Sequence, residues 1–250
     1  MMRSLLVLLL LTAGGTAASA ETIKLLTTGA FKPPAQDIIA AFERQTGHKV
    51  NLINDTAGAL SRRVAGGEKF DVLVLTQDGL EALVGTKKID DTSITPLAKV
   101  GIGVVVPLSA PQPDIFNVEG FRHTLLAARA VAYMDPAAGA SSGIYLAKLF
   151  QQMGIASEIA KKAVLVRGGL SAERVARGEA DIALQQASEL KLVPSVRFAG
   201  MIPDQVQNYT TYSGALSADT AVLQAATALL AAFSDPSADA ILKHRGLEMP

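Results

Sequence analysis

The sequence predicts two α/β lobes, each a mostly parallel sheet flanked by helices, joined by two extended crossing segments. Three observations carry that prediction. Over roughly the first sixty residues after Glu21, strand-like runs alternate three times with helical periodicity, the pattern of a parallel sheet with right-handed crossovers. The rhythm breaks at Ala98–Leu108 (AKVGIGVVVPL), a long β-rich run with no helix before it. From Val118 the alternation resumes, and a second extended stretch, Tyr209–Leu216 (YTTYSGAL), comes before a helical tail.

Thr22–Thr27 (TIKLLT) reads as the first strand, Thr28-Gly29-Ala30 as a loop, and Pro33-Pro34 opens a helix carried by Ala35–Gln45. Ile38, Ile39 and Phe42 share one face of that helix and Gly47 closes it. Lys49–Asn54 is the second strand, Asp55–Gly58 a loop, Ala59–Val64 a short helix, and Asp71–Leu75 the third strand. Thr76-Gln77-Asp78 then stands where a helix N-cap belongs, before Leu80–Val84. In the second lobe Val118–Ala128 is a helix and Ala130–Met134 a strand stopped by Asp135-Pro136. The small residues Ala137–Ser142 form a tight loop into a helix with Ile144, Leu146, Leu149, Phe150 and Met153 at helical spacing, and Ser141 or Ser142 can cap it. Ala156–Lys162, Leu170–Arg177 and Ala187–Leu192 follow as helices, alternating with strands at Ala163–Val166, Asp181–Leu184 and Val196–Met201. Two amphipathic helices, Asp219–Phe233 and Pro236–His244, end the chain and return to the first lobe. The expected division is residues 1–20 as a leader, 21–102 with 217–250 as the first lobe, and 103–216 as the second.

Residues 1–20 combine Arg3, the apolar run Leu5–Leu11 and the small Ala18-Ser19-Ala20 before Glu21, the pattern of a cleaved secretory signal and too short an apolar run to span a bilayer. The mature chain is therefore expected outside the cytoplasm. Removing the leader takes only Arg3 from the 23 basic residues, leaving 22 against 23 acidic ones, a balance unlike that of a nucleic-acid binder. The chain has no cysteine, which excludes disulfides and thiolate metal sites. His48, His123 and His244 lie far apart without metal spacing, so no metal and no cofactor are expected. No nucleophile elbow, Walker loop or dinucleotide fingerprint occurs.

The stretch Met134–Gly154 (MDPAAGASSGIYLAKLFQQMG) joins a strand end, a small-residue loop and a helix start. First-turn N–H groups have no partner inside a helix and point outward with the positive end of its dipole, so this stretch is a candidate anion site as well as an ordinary βα turn. If the helix starts of both lobes face one cleft, closure about the crossings buries a ligand between them.

Several stretches together resemble the periplasmic molybdate-binding protein family, the substrate-binding components of ABC importers. They are AFERQTG with the KVNL strand, GALSRRVAGGEKFDVLVL, the DP…SGIYLAKLF run, VARGEADIAL and the tail SDPSADAILKHRGLE. The resemblance covers Thr22–Gly246 in order and implies the type II two-lobed periplasmic binding protein fold. It also implies an oxyanion held by two serine hydroxyls, main-chain N–H groups of the second lobe and a tyrosine. Those serines fall at Ala30 and Ala57, and the tyrosine at Gln186. A tetrahedral dianion needs a closed shell of donors, and each missing hydrogen bond to a charged ligand costs about 1.5–3 kcal/mol. The losses therefore point from molybdate toward a carboxylate.

The resulting expectation is a monomeric carrier that closes on a small anion and passes it to the membrane permease of an ABC importer. N–H groups of Thr28, Gly29 and Ala30, of Thr56, Ala57 and Gly58, and of Ser141, Ser142 and Gly143 are the expected ligand contacts. Thr27 and Gln186 add polar side chains, and Arg167 adds a fork suited to a carboxylate. The scaffold also has aconitate isomerase-like members, which shift a double bond within a tricarboxylate, and this is the alternative. A proton must then leave a carbon beside a carboxylate and return elsewhere. Asp55, Asp78, Asp135 and Tyr212 are the candidates for that work.

Overall fold

The structure, a computed structural model, describes residues 19–250. The expected leader lies outside the described residues up to residue 18. The first lobe opens with β1 (Thr22–Thr28), α1 (Lys32–Thr46), β2 (Lys49–Asp55), α2 (Ala57–Ala65), β3 (Val72–Thr76), α3 (Gln77–Glu81) and β4 (Thr95–Val100). The second contains β5 (Ile102–Pro107), α4 (Val118–Ala127), β6 (Val131–Met134), α5 (Ser141–Gln152), α6 (Ala156–Ala160), β7 (Ala163–Val166), α7 (Ala172–Ala176), β8 (Ile182–Gln186), α8 (Ala187–Leu190) and β9 (Val196–Met201). The chain then returns through β10 (Thr210–Leu216) to α9 (Leu223–Ser234) and α10 (Asp239–His244).

Two five-stranded sheets result, ordered β2-β1-β3-β10-β4 and β7-β6-β8-β5-β9. In each, three parallel strands are extended by an antiparallel strand from a crossing: β10 beside β3, and β5 beside β8. This is the two-lobed type II fold. Apolar clusters fill both faces of each sheet, so each lobe is a helix-sheet-helix sandwich with buried central strands. The tail closes the first lobe: Phe233 meets Phe31 edge-on at 5.4 Å, and Arg245 pairs both its Nε and Nη2 with Asp37.

Local chemistry sets the element ends. Thr56, Thr76 and Asn117 each cap a helix by accepting the N–H three residues on. α9 starts at Leu223 rather than Asp219, because the side chains before it are bonded elsewhere: Thr220 Oγ1 donates to Asp71 at 2.6 Å and Asp219 pairs with Lys69. The run Ala98–Leu108 is two strands in two sheets, separated by Gly101 alone. Thr210–Leu216, expected within the second lobe's span, hydrogen bonds into the first sheet; the second lobe's last strand ends at Met201.

The two crossings are clasped by one side chain. Gln207 Oε1 accepts the Ile102 N–H at 2.8 Å, and its Nε2 donates to the Ile102 carbonyl at 3.0 Å. A Cβ at Gly101 would lie 2.6 Å from Met201 Cε and 3.0 Å from Gln207 Cδ, so glycine is what lets the crossings pack. Gln207→Ala strips the Ile102 N–H of its partner and is expected to lower unfolding stability by about 1–3 kcal/mol. The reading is a lower urea midpoint at unchanged slope; an unmoved midpoint would show that the clasp carries no stability.

Candidate functional site

The carboxyl ends of β1 and β2 face those of β6 and β8 across the space between the lobes, the usual place for a ligand in α/β sheets. The lobes touch there. Gly58 N–H donates to Gly139 O at 3.0 Å, Thr56 Oγ1 donates to Ala138 O at 2.7 Å, and Ser188 Oγ donates to Ala30 O at 2.9 Å. A Cβ built on Gly58 would lie 2.9 Å from Gly139 Cα, so the two backbones meet with no room for a side chain. Behind this contact is a cavity of about 390 Å³.

Many of the residues singled out in the sequence line it. Thr28, Gly29 and Ala30 come from the first loop, and Asp55, Thr56 and Ala57 from the second. Ser141, Ser142 and Tyr212 face them. The other expected contacts lie off its walls. Thr27 is fully buried in β1, and Gly143 packs so tightly on the Met134 carbonyl that a Cβ would sit 2.2 Å from its oxygen. Gly58 has given its N–H to the other lobe. Arg167 points outward, its side chain 89% exposed, and meets Asp135 at 3.3 Å. Asp135 also accepts the Ala137 N–H, which occupies its carboxylate in the loop. Asp78 lines a separate outer groove. Gln186 is buried, with Nε2 bonded to Ser141 Oγ at 3.3 Å and Thr210 Oγ1 at 3.0 Å.

Free donors are unevenly divided between the lobes. α5 is capped by Ala140, not by a serine; Ser141 and Ser142 are its first two residues, and no side chain caps its N–H groups. That helix end faces the cavity. α1 is the opposite case: Lys32 N–H donates to Gly29 O, Pro33 and Pro34 have none to give, and Ala35 N–H donates to Phe31 O. Thr56 donates to Ala138 O and accepts from Ala59, which occupies its hydroxyl. Thr28 Oγ1, by contrast, is buried without a partner.

Among the polar wall residues, Lys32, Asn54 and Glu189 were not foreseen. Glu189 stands on the four-residue α8, yet its Oε1 reaches within 2.6 Å of where a Cβ on Gly29 of the other lobe would be. Burial pushes its carboxyl up to about 8, against the lowering effect of the Gln185 amide. Gln185 itself accepts the Ser171 N–H at 2.7 Å and donates to Gly169 O at 3.2 Å, holding the loop below the cavity. Tyr212 is 2% exposed, its hydroxyl 3.3 Å from Ser141 Oγ. Burial, and then the nearby Glu189 charge, hold that hydroxyl well above the usual phenol range despite opposing hydrogen bonds from Ser141 and Gln186. A tyrosine hydroxyl thus reaches Ser141 from β10, although β8 offers only Gln186 there. Among the described residues no cluster of His, Asp and Glu is suited to a metal ion, and no helix is long and apolar enough to cross a membrane.

The profile of the family described as bacterial extracellular solute-binding protein matches residues 23–248. The chain belongs to that family. This solute-binding protein is 34% identical over 233 residues to a Pseudomonas protein named aconitate isomerase, covering 91% of this chain and 87% of that one. Among solved structures, the Azotobacter vinelandii periplasmic molybdate-binding protein matches at TM-score 0.76 and 18% identity, over 91% of this chain and 99% of the other. The Mycobacterium tuberculosis sulfate-binding protein matches at TM-score 0.69 and 17% identity, over 92% and 87%. At such identities the two structures show a shared fold. The resemblance read from the sequence, to molybdate-binding proteins and their aconitate isomerase-like members, is met on both sides.

The Glu189 carboxyl makes a prediction independent of any ligand. Folded Glu189 holds its proton up to about pH 8, whereas the unfolded chain releases it near the ordinary glutamate value of 4.5. The folded state therefore binds more protons between those values, and stability falls as pH rises through that window. Glu189→Gln removes the decline. Its advantage over the parent should be small at pH 5 and grow to a few kcal/mol, roughly 2–4, by pH 9. Denaturant melts at the two pH values measure this, and parallel curves would refute it.

Proposed function

We propose that this solute-binding protein is an isomerase of an unsaturated tricarboxylate, of the aconitate kind, with Glu189 as its proton carrier. The observation that carries the proposal is a carboxyl pushed up to about 8 in the wall of the cavity between the lobes, in a chain 34% identical to a protein named aconitate isomerase. In such a substrate a methylene beside one carboxylate adjoins a carbon–carbon double bond. A proton leaves the methylene, the double bond moves over by one position, and a proton returns to the far alkene carbon. Atoms and charge balance with one proton taken and one given back.

The residues suit these steps. A carboxylate raised to about 8 is a stronger base than an ordinary one, closer to the weak acidity of the C–H bond. The negative charge that develops spreads onto the substrate's carboxylates, where the N–H groups at the start of α5 and the Ser141 and Ser142 hydroxyls are already oriented. Tyr212, at the same serine, keeps its proton and adds a neutral donor. Asp55, the other carboxylate of the wall, is half-exposed and engaged with the Thr56 N–H and Arg63, which leaves Glu189 as the base.

A second reading is favoured by the two-lobed fold and the family: a carrier that delivers a carboxylate to an importer's permease. A periplasmic site of action and a monomeric state fit both readings. Turnover separates them. Purified protein mixed with either geometric isomer of aconitate should drive both toward one equilibrium mixture by proton NMR. Saturable binding with unchanged isomer ratio would leave the carrier. For the enzyme, kcat/KM should climb with pH toward about 8, as the Glu189 carboxylate form becomes populated. Glu189→Gln should lower kcat by about 10²–10⁴-fold. A variant with parental kcat would remove Glu189 from the mechanism.

A further inference from the structure

We infer that Lys32 forms a carboxylate subsite on the first lobe, so that the cavity takes a ligand with one carboxylate against each lobe. The inference rests on the tricarboxylate reading and names the charge that anchors it. Lys32 is half-buried, lines the cavity, and takes part in none of the ion pairs among the described residues. A half-buried cation facing a cavity is stabilised by an anion in that cavity. The neighbouring Thr28 hydroxyl is buried without a protein partner, but it is closed off from the cavity, which leaves Lys32 as the group that meets a ligand.

The backbone explains why side chains would do this work. The first turn of α1 has no spare N–H: Lys32 and Ala35 have spent theirs, and Pro33 and Pro34 have none. Ala30 and Ala57 bring no hydroxyl. A tetrahedral oxyanion would therefore find few donors on this side, the wall's side chains offering the Lys32 ammonium and the Asn54 amide. A planar carboxylate needs fewer donors, and an ammonium suits it. The opposite lobe supplies the start of α5, so positive character stands on both sides of the cleft, with Glu189 facing the first loop between them. A ligand carrying a single carboxylate leaves one of the two subsites empty.

The test is calorimetry with propane-1,2,3-tricarboxylate, a saturated ligand that cannot isomerise. Lys32→Met should weaken its binding by roughly 10- to 100-fold and flatten its salt dependence, while Lys32→Arg stays within a few-fold of the parent. The subsite is overturned if Lys32→Met, with a parental melting curve, binds within two-fold of the parent. It is equally overturned if the parent fails to bind the tricarboxylate at about 1 mM, a contact worth only about 4 kcal/mol. Because the ligand is inert, the outcome does not depend on turnover. A chain that loses affinity on Lys32→Met but isomerises nothing keeps the subsite and refutes only the isomerase.

Discussion

The site depends on how closely two stretches of backbone approach. Gly58 and Gly139 meet through one N–H···O bond with no space for a Cβ on either side, and the cavity lies behind them. Near that contact Gly29 of the first lobe closes on the Glu189 carboxyl, and the lost hydration raises its proton equilibrium. Thr28 Oγ1, at the end of β1, is buried and unpartnered, a cost the fold carries there. The single-residue crossing at Gly101 and the Gln207 clasp serve this approach by holding the lobes within reach of each other.

Much of the fold was legible because it is written in local patterns. The βα alternation, the glycine stop of α1 and the threonine cap of α3 each need only a few neighbouring residues to take effect. The helix start at Ser141 was legible for the same reason. Its cap was not, because Ala140 takes that place and the serines stand one and two residues inside the helix, where their hydroxyls turn to the cleft. The sheet membership of Thr210–Leu216 escaped a local reading as well. An extended polar-apolar stretch looks alike on either side of a crossing, and only its pairing with β3 and β4 decides.

The residues that carry the proposed chemistry were the least legible, and the reason is distance along the chain. Glu189 reads as an ordinary surface glutamate in a short helix; what makes it unusual is Gly29, 160 residues away. Lys32 reads as a solvated lysine before two prolines. The prolines were read as a helix start, which they are, but they also delete the N–H groups that an anion would have used. Arg167 shows the converse. Its residue type and its place at a strand end suited a carboxylate, yet the side chain turns to solvent and pairs with Asp135. Type and spacing locate loops; which way a side chain faces is decided by elements the loop has not yet met.

A comparison of the two helix starts suggests how one scaffold passes from holding an anion to transforming it. Backbone N–H groups bind a compact anion evenly from many directions, which stabilises the ligand without favouring any later state. In this chain that arrangement survives only at α5. At α1 it is replaced by a flexible cation, and at α8 a carboxyl faces the first loop. On the proposed reading Glu189 matters twice: its neutral form spares a bound carboxylate the repulsion of a like charge, and its ionised form, with its raised equilibrium, would be the stronger base toward carbon. The proposed subsite at Lys32 would set a cation in the same cavity as that charge.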